Sequence, residues 1–314
     1  MNSLGPIYHV DRLSEENFTD LEKLHTVVYG SAPAAEFFPM KYDTTFTAVK
    51  YTGFIAYNNQ QRPIAFYGVI PCFIRLADKI ILAAQSADTM THPEYRNKGL
   101  FVELALLTFQ LCHDAGIKLL FGFPNQNSLP GFVNKLGWQI TERMDCFIIP
   151  VKVFPWQKIF RKISLLNNWH KAYQQRQLKK YLIPQHGIDN SVFDDGFAGI
   201  LRDHHFRKYK TYTNTQVIKI GSSTVWIKIG SGLLIGDILT QPDCFDNLMQ
   251  QLKKITEKLG LKQIQFHASP GTALHHLFSS RFKSIPSFNV IFKDLEGNTP
   301  INKIKFTSAD IDTF

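Results

Sequence analysis

Cysteine is scarce and scattered: Cys72, Cys112, Cys146 and Cys244 are the four in 314 residues, and no two form a CxxC pair. Such spacing argues against a zinc site and against a disulfide framework, and leaves the thiols as small buried hydrophobes. Also missing is any apolar run approaching the roughly 20 residues that span a bilayer. The opening MNSLGPIYHVDRLSEENF holds neither the basic n-region nor the apolar h-region of a secretory signal, which predicts a cytoplasmic enzyme or binding protein. Acidic residues are in deficit. Lysine plus arginine exceed aspartate plus glutamate by 35 − 26 = 9, so the surface field favours anions: nucleic acid, anionic lipid or a polyphosphate cofactor.

What is present is an ordinary globular composition, 44% hydrophobic, long enough for two domains or one large one. Much of the positive excess sits in residues 156 to 182, WQKIFRKISLLNNWHKAYQQRQLKKYL, where apolar residues recur at helical spacing. That stretch reads as a linking helix with a solvated face, or as a contact for an anionic substrate or membrane surface.

The segment from Val10 to Gly30 predicts a short strand and then a helix begun at Ser14. Residues 52 to 90 predict three strands, joined by turns at Asn58 to Gln61 and at Ala77 to Lys79. The loop THPEYRNKGLF, residues 91 to 101, leads into a helix closed by Gly116. IKLLFGFP is a strand buried on both faces, NSLPGFVNKLGW a short helix and QITERMDCFIIPV a further strand, so one α/β domain is complete by about residue 150. Residues 151–210 predict a helical linker that includes SVFDDGFAGILRDHHFRKY. From 211 to 314 the same order of elements returns: meander, helix, strand, short helix, strand. The second copy differs at one place, with TQPDCFDNL standing where the first has THPEYRNKGLF.

A turn between a strand end and a helix start presents free backbone N–H groups and the positive end of the helix dipole. That is an anion site suited to a phosphate or pyrophosphate. Gly99 lets the backbone approach without a Cβ, Arg96 and Lys98 add charge at the rim, and Pro93 stiffens the approach. The same composition also suits a plain solvated helix start.

Arg96 and Gly99, with a strand before and a helix after, resemble the acetyl-CoA-binding motif Q/R-x-x-G-x-G/A of the GCN5-related N-acetyltransferases (GNAT superfamily). Asn127, Lys135, Leu136, Gly137 and Trp138 resemble that family's later helix, and the run MTHPEYRNKGL looks closest to the two-lobed enhanced-intracellular-survival-like branch. The resemblance covers residues 1–150 well and the rest as a pattern of elements. It implies an α/β chain with a mixed, mainly antiparallel central sheet: an acyl-CoA N-acyltransferase fold in two tandem lobes, the second degenerate. It also implies an N-acetyltransferase using acetyl-CoA and a small amine-bearing acceptor, with no nucleic-acid partner and no stable membrane insertion.

On this resemblance the cofactor lies against Thr89, Met90, Thr91, Arg96, Asn97, Lys98, Gly99, Leu100 and Phe101, with the fourth strand supplying the oxyanion donor. Asn125 and Asn127 face the amide end of the cofactor, Asn127 serving equally well as an N-cap. Two departures stand out. Phe101 replaces the motif's last glycine or alanine, and its ring must turn inward to pack for the backbone N–H to stay available. Val133 stands near the place of the family's thiolate-protonating tyrosine. For the base, Asp88 shares a strand face with Ser86 by alternation, and is either that base or a structural carboxylate. The alternative is the chain's end, where Asp310, Asp312 or the Phe314 carboxylate enters the first lobe's cleft if the tail is not disordered. The pairs His204–His205 and His275–His276 lack metal spacing. LRDHHFRKYKTY reads as a helix end with its favoured cations, or as a contact for an anionic or sugar-linked substrate. Two further readings remain: a non-catalytic acyl-CoA sensor, and a tandem-lobe peptide transferase using aminoacyl-tRNA.

Overall fold

The apolar run after Thr52 folds as its turn residues predict, into the antiparallel strands β2 (Gly53–Asn58), β3 (Pro63–Leu76) and β4 (Lys79–Thr91). The structure, a computed structural model, describes residues 8–152 and 172–314. Most of the basic stretch 156–182 lies outside the described residues; 172–178 are helical. Among the described residues no helix is long and apolar enough to cross a membrane.

Two compact units divide the chain. The first comprises Met1–Thr141 with Asn289–Ile301, the second Glu142–Phe288 with Asn302–Phe314. The sequence places a boundary near 150 and gives all later strands to the second lobe. Here the division comes earlier, and the end of the last strand belongs to the first unit.

In the first unit β1 (Tyr8–Arg12) pairs with β2, and the order runs β1-β2-β3-β4-β5, with β5 (Leu119–Gly122) parallel to β4. The far side of β5 is closed by the end of β12 (Ser284–Asp294), antiparallel from Ile291↔Gly122 to Asp294↔Leu119. Helices α1 (Phe18–Tyr29) and α2 (Phe37–Tyr42) cover one face. The six-residue α2, which carries Pro39, is not apparent in the sequence. On the other face lie α3 (Leu100–Asp114) and α4 (Leu129–Leu136). Adjacent residues of β3 show the division: Phe66 packs edge-on against Tyr42 of α2, while Tyr67 meets Phe109 of α3 and Phe132 of α4. Leu100, Leu104, Ala105, Phe109 and Cys112 form the buried stripe of α3, each large member contributing roughly 1.5–3 kcal/mol of burial.

The second unit repeats this plan. Its order is β6-β11-β10-β9-β8, from β6 (Gln139–Pro150), β8 (Gln216–Ile220), β9 (Ser223–Ile229), β10 (Leu233–Leu239) and β11 (Gln263–Ala268). In this order β10 and β11 run parallel, as β4 and β5 do in the first. The helical expectation for SVFDDGFAGILRDHHFRKY holds only over α5 (His204–Tyr209). Before it stand a 3-10 turn at Ser191–Phe193 and the two-residue β7 (Gly199–Ile200). Gly196 and Gly199 carry little helical propensity there. Helices α6 (Phe245–Lys258) and α7 (Ala273–Ser279) complete the unit. Phe245, Leu248, Leu252 and Phe278 are buried with the strand residues Ile235, Ile264 and Phe266.

Candidate functional site

The parallel pairing of β4 with β5 lasts four rungs, from Ala83↔Leu119 to Ser86↔Gly122, and then stops. β4 continues to Thr91 with β3 alone as its neighbour. From Ala87 to Thr91 its other edge is unpaired by any strand among the described residues, a row of main-chain donors and acceptors open to a ligand. The cause lies within β4. Asp88 and Thr89 together oppose the single residue Tyr67, and Asp88 takes φ 43°, a bulge that bends the strand away.

The bulge also overturns the expected shared face of Ser86 and Asp88. Ser86 Oγ lies 2.9 Å from the Tyr67 hydroxyl on the α3/α4 face. Asp88 Oδ2 accepts from Lys41 Nζ at 2.7 Å and from the Tyr42 hydroxyl at 2.9 Å on the α2 face. Alternation fails because the extra residue rotates the strand by one position. Lys41 and Tyr67, both fully buried, are contacts that sequence reasoning missed. Burial holds the Tyr67 phenol well above its ordinary range, so it stays protonated beside Ser86.

The loop after β4 leads into a glycine-capped helix start. A 3-10 turn, Pro93–Tyr95, precedes Arg96, and Gly99 caps α3 at φ 85°, with no atom within 4 Å of where a Cβ would stand. The N–H groups of Leu100 and Phe101 have no acceptor among the described residues, whereas Val102 and Glu103 already donate to the Gly99 carbonyl. Arg96, Asn97, Lys98 and Gly99 are exposed, and the Lys98 ammonium lies 4.5 Å from the centre of the Tyr95 ring. Beneath the loop His92 is 3% exposed. Burial, and then the Arg62 guanidinium that donates to its Nε2, hold its pKa below the usual histidine range. Beside Lys98 and Leu100 opens a cleft of roughly 360 Å³, lined also by Tyr8, Asn58 and Tyr95.

Phe101 does turn inward. Its ring packs edge-on against Phe132 at 5.2 Å and lies over Gly131, where a Cβ would come within 2.7 Å of it. Asn125 and Asn127 lie in the turn before α4 and neither is its N-cap, a position held by Ser128; Asn125 Oδ1 accepts from the N–H groups of Asn127 and Ser128 within that turn. Asn127 is left exposed, and Val133 lies part-buried on α4. The tail is ordered. Asp310 is fully buried and held by Arg202, and the Phe314 ring packs edge-on against Trp226 at 5.6 Å, both within the second unit. With both oxygens of Asp310 bound to that guanidinium, this carboxylate is no free base.

A parallel strand pair that splays beside a glycine-capped helix start, on a mixed sheet with helices on both faces, defines the acyl-CoA N-acyltransferase fold. Residues 9–141 match the family described as Acetyltransferase (GNAT) domain. No curated protein matches the sequence. Among solved structures the chain is similar to a GCN5-related N-acetyltransferase from Kribbella flavida, with TM-score 0.58, 11% identity, and coverage of 94% of this chain and 73% of that one. A conserved protein of unknown function from Enterococcus faecalis V583 gives 0.58 and 11%, covering 92% and 73%. A GCN5-related N-acetyltransferase from Anabaena variabilis gives 0.55 and 14%, covering 91% and 72%. At such identities the likeness is one of fold. The family match falls within the first unit, and it supports acyl transfer in general for that region.

Proposed function

We propose that the first unit transfers an acetyl or other short acyl group from acyl-CoA to an amine of a small acceptor, within the cytoplasm. The observation that carries this reading is the bulged, splayed β4 ending in a glycine-capped helix start. The free N–H groups of Leu100 and Phe101 fit a pyrophosphate, with Arg96, Asn97 and Lys98 at its rim. The open edge through Thr89, Met90 and Thr91 fits the amide-bearing arm of the cofactor as an added strand, with Asn125 and Asn127 nearby in the turn before α4. When bound, the thioester supplies the activated acyl group.

The chain's own residues divide the remaining work. An outward-facing main-chain N–H within Thr89–Thr91 stabilises charge that develops on the acyl oxygen. Asp88, the only carboxylate on β4, takes the proton that the amine loses as it attacks. Ser86 receives the Tyr67 hydrogen bond and turns its own hydrogen toward the departing sulfur, the task that Val133 cannot perform. Phe314 is assigned no catalytic step.

Calorimetric titration of acetyl-CoA should show one saturable event that an Arg96→Ala, Gly99→Glu variant loses; no heat from the intact chain would remove the reading. Val133 motivates a second reading, a binding-only sensor. It predicts the same titration with no thiol release for any amine, and with Ser86→Ala without effect.

A further inference from the structure

The second unit repeats the splay as well as the strand order. β10 and β11 pair in parallel over three rungs, Leu233↔Ile264 to Ile235↔Phe266, and β10 then bulges at Gly236 before it resumes pairing with β9 at Asp237↔Trp226. Beyond Phe266 the edge of β11 that β10 leaves is taken by another piece of chain. Ala268 bridges antiparallel to Thr307, the Ser269 N–H donates to the Phe306 carbonyl at 2.9 Å, and the His267 N–H donates to Ser308 Oγ at 2.8 Å.

From there the segment is gripped residue by residue. Arg202, 2% exposed, takes both oxygens of Asp310 at 2.9 and 2.8 Å and also pairs with Asp237 of β10. Three successive carbonyls each receive a side-chain donor: Ile311 from Lys210 Nζ at 2.7 Å, Asp312 from the Tyr212 hydroxyl at 3.0 Å, Thr313 from Lys228 Nζ at 2.6 Å. The Phe314 ring then occupies the space at Gly236 that any Cβ would fill, 2.3 Å from the ring. What is left of the opening is a cavity of roughly 130 Å³ beside His267 and Phe288.

We infer that the splay of the second unit is a peptide-binding groove, filled in cis by Thr307–Phe314. Its ligand class is a short peptide that turns through a 3-10 element, as Ser308–Asp310 does, with a carboxylate four residues before an aromatic side chain. Main-chain bonds to β11 hold its start, side-chain donors to successive carbonyls hold the stretch between the anchors, and the Arg202 and Gly236 positions read the two anchors. The loop that follows β10 lacks an anion cradle: Pro242, Asp243 and Cys244 replace the glycine-capped start, and Asp243 and Asp246 are acidic. A peptide, not a nucleotide, therefore suits this opening.

The test uses the full chain carrying Asp310→Ala and Phe314→Ala together, followed by hydrogen exchange and Trp226 fluorescence. Loss of two buried anchors should speed exchange of the His267 and Ser269 amides by on the order of tenfold or more. A synthetic TSADIDTF peptide added in excess should restore protection and the fluorescence, and the same peptide with both anchors replaced by alanine should not. Exchange unchanged in the double variant would overturn the inference. So would lost protection that the peptide does not restore, because the segment would then be ordinary core and not the occupant of a site.

Discussion

Asp88 sits where strand geometry would ordinarily forbid its contacts. At φ 43° it pays local strain for reaching Lys41 and Tyr42, and a buried ion pair broken from one side costs about 3–5 kcal/mol. Lys41→Met, which strands Asp88 without its cation, should therefore lower stability by about 3 kcal/mol in denaturant titration. Lys41→Arg should recover part of the loss. Gly99 makes a separable claim: alanine there meets no neighbour but must adopt a left-handed φ, so it should cost about 1 kcal/mol or more and weaken acyl-CoA binding as the cap distorts. The strand-to-helix turn that holds Arg96 and the helix-capping Gly99 was legible because its turn residues sit in one short stretch. The Tyr42–Asp88 and Tyr67–Ser86 contacts were not, because they join residues 46 and 19 positions apart whose meeting depends on a bulge that leaves no composition signal.

At the scale of elements, β11 carries a titration that acts on the second unit. Burial pushes the His267 imidazole down to about 4, against an ordinary value near 6.5, while Gln265 Nε2 and Ser287 Oγ hold its two ring nitrogens at 2.8 and 2.7 Å. Between those two values the unfolded chain binds a proton that the folded chain refuses. Stability therefore rises with pH across that window, and acidification removes up to about 3 kcal/mol. Melting temperatures followed from about pH 7 to about pH 4.5 should fall less steeply for His267→Asn than for the native chain. The order of strands and helices was readable from turn residues and apolar periodicity from Asn58–Gln61 through β6 and again from β8 through α6, but not over residues 191–203, where a 3-10 turn and a two-residue strand stand in place of helix. Which strand neighbours which was not. The ends of β6 and β12 have similar apolar patterns, and nothing local says that β6 pairs with β11 while the end of β12 pairs with β5.

For the whole molecule, the duplicated plan bears on stoichiometry. The first unit keeps a glycine-capped loop and an open edge on β4, and the second has neither. Calorimetry should therefore count one acyl-CoA per chain, and a value near two would show that the second opening is accessible to nucleotide after all. Both openings begin within two residues of the last parallel rung, at Asp88 after Ser86 and at Gly236 after Ile235. The wedge is built into the strand, so the gap exists before any ligand arrives and its formation need not be driven by binding energy. Preorganisation of that kind obliges the protein to do something with the gap permanently, since dry unpaired main chain is costly. An opening left at the surface can stay wet between visits of a ligand, whereas the one in the second unit is kept filled by Thr307–Phe314 of its own chain.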